Sequence, residues 1–365
     1  MPDRQNTNSH NLNDFLDSTA KSPLGMVTTE PLLNELVMNL QQLREDLLAE
    51  PTARQELQFS RAKVDETRAA FSRMIRQGEQ KLHRLCELIC DTFLASYQMQ
   101  SIIIGEVTNT KERFTILQPI SRRDLYSHTD LDLGSRQLEK LLFHDGTGWG
   151  SATLVANMVD YQPTEPNRYN VQKITSRIKA EEEIWNKVVD EIFDLDTIVT
   201  KDKQLRHLSR YVKDIFGIKV VVGELDDISR MQKTLENSKW SHELLRKLDI
   251  EPTMYTERLQ FIEVKNYLEG IQRKRTGWEA IKSVVAWSNK TFEIQIQSLR
   301  NYLREQERLT KESHTSFKAN REQVRAQVAE RIPLFGFYPD LLLCLFLNPD
   351  GEPPSHERVI LRVID

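Results

Sequence analysis

The sequence predicts an α/β (α+β) protein, with a mixed-sheet domain over residues 166–330 preceded by a helix-rich N-terminal region. Three observations point there. Apolar residues recur at threes and fours between Pro31 and Tyr97, the spacing of one helix face. Strand-like and helix-like stretches alternate after Tyr161. In "FEIQIQS", Phe292, Ile294 and Ile296 alternate with Glu293, Gln295 and Gln297, so a strand there places three apolar residues on one face and three polar ones on the other. Taken alone, that alternation is an edge strand with a wet face.

At 365 residues the chain is long enough for two or three units. Residues 1–28 are rich in Asn, Ser, Thr and Asp and read as a disordered tail. Residues 29–165 form the helix-rich region with a small β element. Here Leu33, Leu36, Val37, Leu40, Leu43 and Leu47, then Leu82, Leu85, Ile89 and Phe93, suggest a helical hairpin. "SIIIGEV" and "RFTIL" follow as two strands around a polar turn, and "YQPTEPNRY" reads as a boundary. Beyond it, "YNVQKIT", "GIKVVVGEL", "FIEVKNY", "AIKSVVAW" and "TFEIQIQ" are strand candidates, "AEEEIWNKVVDEIF" is an amphipathic helix, and "LRNYLREQERLTKESHTSFKANREQV" is a long charged helix or pair of helices. Residues 331–365 form an appendage with one very apolar run, Leu341 to Leu347.

Composition narrows the function. A net charge of -4 gives no general attraction to nucleic acid or anionic membrane. The start lacks a secretory core, and the apolar run is far shorter than the roughly 20 residues of a membrane helix, so a cytoplasmic chain with no membrane partner is expected. Cys86, Cys90 and Cys344 make no disulfide framework.

Several candidate sites compete. His83, Cys86 and Cys90 share a helix face as a conceivable metal half-site, against the plainer reading of buried hydrophobes. "HDGTGWG" has phosphate-loop glycines without the surrounding strand or lysine, and reads as a turn. Asp130 and Asp132 in "TDLDL" have the spacing of two metal-binding carboxylates on one side of a strand, against a solvated loop. From residue 168 onward, cations at a helix start (Arg177, Lys179, Lys187), Asp214 before a glycine turn, the basic loop with Lys274 ending in Trp278, and Glu293 together supply what a metal-dependent nucleotide site requires.

The order of these segments resembles the synthetase domain of the RelA/SpoT family, alarmone synthetases of the nucleotidyltransferase superfamily. "RIKAEEEIWNK", "DIFGIKV", "NYLEGIQRKRTGWEAIK", "EIQIQS" and "HTSFK" match that family's motifs in sequence over about residues 168–320. The resemblance implies a nucleotidyltransferase-like mixed sheet. It implies transfer of pyrophosphate from ATP to the 3′-hydroxyl of GDP or GTP, with Mg²⁺. Arg177, Lys179 and Lys187 would then bind ATP, and Asp214 and Glu293 would be the catalytic pair that holds the metal. Lys274, Trp278, Lys282, Gln295 and Gln297 would face the acceptor, with Trp278 stacking on guanine. Lys219, Glu183, Asn266, Lys282 and Gln297 depart from the family's arginine, serine, aspartate, histidine and arginine. That pattern suits a changed acceptor. A tRNA end is one, though an acidic chain does not favour it. The alternative is a degenerate scaffold acting as a binding or regulatory protein, with homo-oligomerisation through the N-terminal helices.

Overall fold

The computed structural model describes residues 23–50, 52–144, 148–178, 181–194, 215–268, 278–311, 325–347 and 351–364. Two compact units emerge. The first comprises residues 1–75, 179–213 and 309–365, the second 76–178 and 214–308. In chain order the elements begin α1 (Pro23–Val27), α2 (Pro31–Ala49), β1 (Gln55–Ser60), α3 (Arg61–Phe93), β2 (Tyr97–Val107) and β3 (Arg113–Pro119). Next come α4 (Arg122–Ser127), α5 (Asp130–Leu138), β4 (Phe143–His144), β5 (Trp149–Gly150), β6 (Ala152–Pro163), β7 (Val171–Ile178) and α6 (Glu181–Ile192). Then follow β8 (Phe216–Val222), α7 (Leu225–Asn237), α8 (His242–Lys247), β9 (Gln260–Asn266), β10 (Ala280–Trp287) and β11 (Lys290–Ser298). The chain closes with α9 (Leu299–Lys311), α10 (Phe337–Phe346) and β12 (Val359–Ile364).

In the first unit, Pro31 opens α2 at a position where its missing N–H costs nothing, and the six apolar residues predicted at threes and fours are all buried. Phe71 stacks on Trp185 at 4.8 Å, and Trp185 meets Phe346 at 4.3 Å. The apolar run near the C-terminus lies on α10, with Leu341, Leu342, Leu345 and Phe346 buried. The expected helical hairpin is interrupted by β1, whose alternating "QELQFS" pairs in parallel with β12 from Gln55↔Val359 to Ser60↔Ile364. A partner some 300 residues away leaves no local trace. No helix among the described residues is long and apolar enough to cross a membrane.

The second unit is built on an eight-stranded sheet in the order β3-β2-β6-β7-β8-β11-β10-β9. Its ladders are antiparallel except β8 with β11, so the sheet is mixed, as the sequence predicts. The stretch from Tyr161 to Tyr169 joins two neighbouring strands, and strands on both sides of residue 165 share this sheet. Pro- and Asn-rich hairpin connections and interdomain linkers have the same composition, which is why the stretch reads as a boundary.

The strand "FEIQIQS" is interior, between β8 and β10, not an edge. Phe292, Ile294 and Ile296 are 1%, 1% and 0% exposed, a burial worth roughly 1.5–3 kcal/mol for each side chain. The polar face is covered too, with Glu293 at 4% and Gln297 at 0% exposure. A wet edge is therefore ruled out, and the carboxylate and amides need partners inside the fold.

Asp130 and Asp132 stand in the first turn of α5, not on a strand. Thr129 caps that helix and Asp132 closes the reciprocal capping box, so "TDLDL" is a helix start. At the two ends of "HDGTGWG", His144 pairs with Trp149 in the antiparallel β4–β5 ladder; residues 145–147 lie outside the described residues.

Candidate functional site

The predicted residues of the second unit that the structure describes lie on or beside one face of the sheet because of register. Arg177 pairs with Gly217, which pairs with Glu293 on its other side. Paired residues project to the same face, and strands lie about 4.8 Å apart, so the Arg177 and Glu293 backbones stand about 10 Å apart with no side chain between them. The next row carries Thr175, Lys219, Gln295 and Lys282, and the row beyond it Lys173, Val221 and Gln297. Arg177 is exposed at the end of β7.

Charges on this face are paired. Lys282 forms an ion pair with the buried carboxylate of Glu293. Glu305, reaching in from α9, accepts from Lys219 at 2.9 Å, from the Trp278 indole N–H at 2.9 Å and from Gln297 at 3.0 Å. Burial pushes the Glu305 carboxyl upward, but the Lys219 ammonium and these hydrogen bonds overcome it and leave its pKa lowered. Gln297 also accepts from Gln295 at 3.0 Å and from Asn301 at 2.7 Å. Trp278 meets Tyr267 edge-on at 5.1 Å. Lys173 is paired with Asp160 at 2.7 Å.

Six of the predicted residues are thus placed on or beside one face: Arg177, Trp278, Lys282, Glu293, Gln295 and Gln297. Lys187 is buried on α6 of the first unit, at 5% exposure. Lys179, Asp214 and Lys274 lie outside the described residues. The metal-binding pair is therefore represented by Glu293 alone, whose charge Lys282 already neutralises. The described residues do not by themselves make a Mg²⁺ site. Glu305 was missed from sequence, as one of many charges in a charged helix.

A second cluster is buried elsewhere in the same unit. Glu79, His83 and Asp130 are 3%, 0% and 1% exposed, and one ligand-type atom from each lies within 4.8 Å of the others. His83 places Nε2 3.1 Å from Asp130 Oδ1 and Nδ1 3.0 Å from the Tyr161 hydroxyl. Glu79 accepts from the Asp130 backbone N–H. Burial first, and then the Asp130 charge, push the Glu79 carboxyl up to about 8. Burial works to lower the His83 pKa, yet Asp130 and the nearby glutamates leave it raised. The plainer reading of Cys86 and Cys90 as buried hydrophobes is the one the structure shows: both thiols are buried and pushed up by burial, while His83 turns to Asp130 and the Tyr161 hydroxyl.

No protein-family model matches the chain, and no curated protein sequence matches it. Among solved structures, the small alarmone synthetase 1 of Bacillus subtilis, bound to its product pppGpp, aligns over 44% of this chain and 80% of its own, at 15% identity and a TM-score of 0.24. A protein of Streptococcus mutans UA159 aligns over 44% of this chain and 76% of its own, at 17% identity and a TM-score of 0.23.

Proposed function

We propose that the chain is a RelA/SpoT-like pyrophosphokinase, moving pyrophosphate from ATP to the 3′-hydroxyl of a guanine nucleotide or a related acceptor. The observation that carries this reading is the row Arg177–Gly217–Glu293, which puts a guanidinium and a carboxylate on the same sheet face on either side of a glycine. Phosphoryl-type transfer is mostly positioning and charge neutralisation. Arg177 binds donor phosphates in this reading, with Lys179 beside it in sequence. Glu293 receives the proton of the attacking hydroxyl after Lys282 shifts toward the incoming phosphates. Mg²⁺ enters as the ion that accompanies ATP, with Asp214 as the further carboxylate that the resemblance supplies.

The acceptor side supports a changed substrate. Lys219 and Gln297 stand at the family's arginine positions, and both are committed to Glu305. Trp278 is held by the same carboxylate, which fixes its ring for stacking against a base.

A second reading, a nucleotide-binding scaffold without transfer, is favoured by the Lys282–Glu293 ion pair, since a neutralised carboxylate is a poor base. Incubation of the purified chain with labelled ATP, Mg²⁺ and GDP, GTP or tRNA separates the two. AMP release that vanishes in Glu293→Ala and Asp214→Ala is expected. Label remaining on ATP with every acceptor, together with measurable ATP binding, selects the scaffold.

A further inference from the structure

Glu79 and His83 lie four residues apart on α3, so their side chains leave one helix face at neighbouring turns. Asp130 arrives from the first turn of α5, and Tyr161 from β6. Two carboxylates and one imidazole, all at most 3% exposed, therefore meet in a space closed to water. Their hydrogen bonds do not use them up. Asp130 Oδ1 faces His83, but Asp130 Oδ2 is buried without any hydrogen-bond partner. A buried carboxylate oxygen left unsatisfied is costly, and native folds rarely keep one without a use.

One pair of donors already stands at the spacing of ligands around one ion, and the Glu79 carboxylate lies within 4.8 Å of both. Donors bound at about 2.0–2.2 Å, at angles between a right angle and tetrahedral, stand about 3.0–3.5 Å from each other. His83 Nε2 and Asp130 Oδ1 are 3.1 Å apart as they stand. The other ring nitrogen is 3.0 Å from the buried Tyr161 hydroxyl, the kind of outer partner that orients a metal-bound imidazole. Asn157 donates to the Asp130 backbone carbonyl and so fixes the start of α5. The imidazole favours a borderline transition ion over Mg²⁺ or Ca²⁺, which prefer all-oxygen sites. The unpartnered Oδ2 is available as a fourth donor.

We propose that Glu79, His83 and Asp130 form a structural site for a divalent first-row transition-metal ion of the zinc class, tying α3 to α5 against β6. The ion replaces protons between the three side chains and neutralises the two carboxylates. This site is independent of the sheet face on which pyrophosphate transfer is proposed.

The test uses the full chain, stripped with a chelator and titrated with Zn²⁺, and with Mg²⁺ in a parallel arm. One equivalent of Zn²⁺ is expected to bind and to raise the melting temperature, with no such effect from Mg²⁺. His83→Gln and Asp130→Asn are expected to lower affinity by about a hundredfold or more. Tyr161→Phe is expected to lower it by about 10–100-fold, and Cys86→Ser to leave it unchanged. Because the buried variants can fail to fold, X-ray absorption on zinc-loaded wild type provides a second readout: a nitrogen and oxygen shell with one imidazole and no sulfur. Failure of the stripped wild type to take up Zn²⁺, sulfur in the shell, or undiminished binding by a folded Asp130→Asn variant overturns the proposal.

Discussion

Lys282 on β10 and Glu293 on β11 form an ion pair diagonally across their ladder, since Lys282 is in register with Gln295 and Glu293 with Val284. Their side chains are 19% and 5% exposed, so the carboxylate is the more deeply buried partner. Burial of a charge is tolerated only with compensation, and here the compensation comes from one strand away. Lys282→Met and Glu293→Gln are each expected to cost about 2–3 kcal/mol, below the figure for a fully buried pair because the ammonium is partly solvated. The double variant Lys282→Met with Glu293→Gln removes both charges and is expected to stay within about 1 kcal/mol of wild type. Urea unfolding of the two singles and the double closes the cycle. Strictly additive losses would show that the pair contributes nothing.

The gap at Gly217 makes a separate prediction. A valine there suits a strand and adds a branched side chain between Arg177 and Glu293. Gly217→Val is expected to weaken ATP binding by about tenfold or more, about 1.4 kcal/mol, and, because Gly217 is buried, to cost about 1–3 kcal/mol of stability in the urea midpoint. Isothermal titration with ATP and Mg²⁺ measures the first quantity. Unchanged ATP affinity in a folded variant would remove this row from the donor site.

Glu305 ties α9 to the sheet face through Lys219, Trp278 and Gln297, and its carboxyl has a lowered pKa. A carboxylate whose folded pKa is depressed adds stability that is present above its unfolded value, near 4.5, and is lost as pH falls through the folded one. Wild type is therefore expected to lose stability on acidification below about pH 4.5 in excess of Glu305→Gln. At pH 7 the variant is expected to be less stable by about 1–3 kcal/mol. Denaturation curves from pH 3 to 7 measure both, and parallel pH profiles would count against the assignment.

How much of this was legible follows from the range of each interaction. The strands β7 to β11 could be read because alternation is a property of neighbours in sequence. The shared face of Glu293, Gln295 and Gln297 followed from period two. The interior position of that strand could not be read, because the parallel pairing of β8 with β11 is set by packing between distant segments. Glu305 carried no signal, since "LRNYLREQER" offers several charges and only the docking of α9 selects one. Asp130 and His83 are 47 residues apart and meet only because α5 starts against α3. A signal did exist for that helix start: Thr129 followed three residues later by Asp132 is a capping box, which the alternation of Leu131 and Leu133 disguised as a strand.

Gly78 shows how closely α3 approaches the sheet. A Cβ at that position would stand 2.0 Å from Cζ and 2.4 Å from Cε2 of the Phe216 ring, distances no real Cβ reaches. Phe216 is fully buried on β8 and meets Phe292 at 6.0 Å, so its ring sits among packed neighbours with little room to move aside. Two effects oppose each other in Gly78→Ala. Alanine favours the helix over glycine by about 1 kcal/mol, whereas overpacking a filled core costs about 1–3 kcal/mol. Contact at 2.0 Å with a buried ring places this case at the costly end, so a net loss of about 1–2 kcal/mol is expected. Shortening the ring should release the clash: Gly78→Ala added to Phe216→Leu is expected to cost less than it does in wild type, a coupling visible in urea midpoints. Equal cost in both backgrounds would mean that the helix and strand do not meet at this pair.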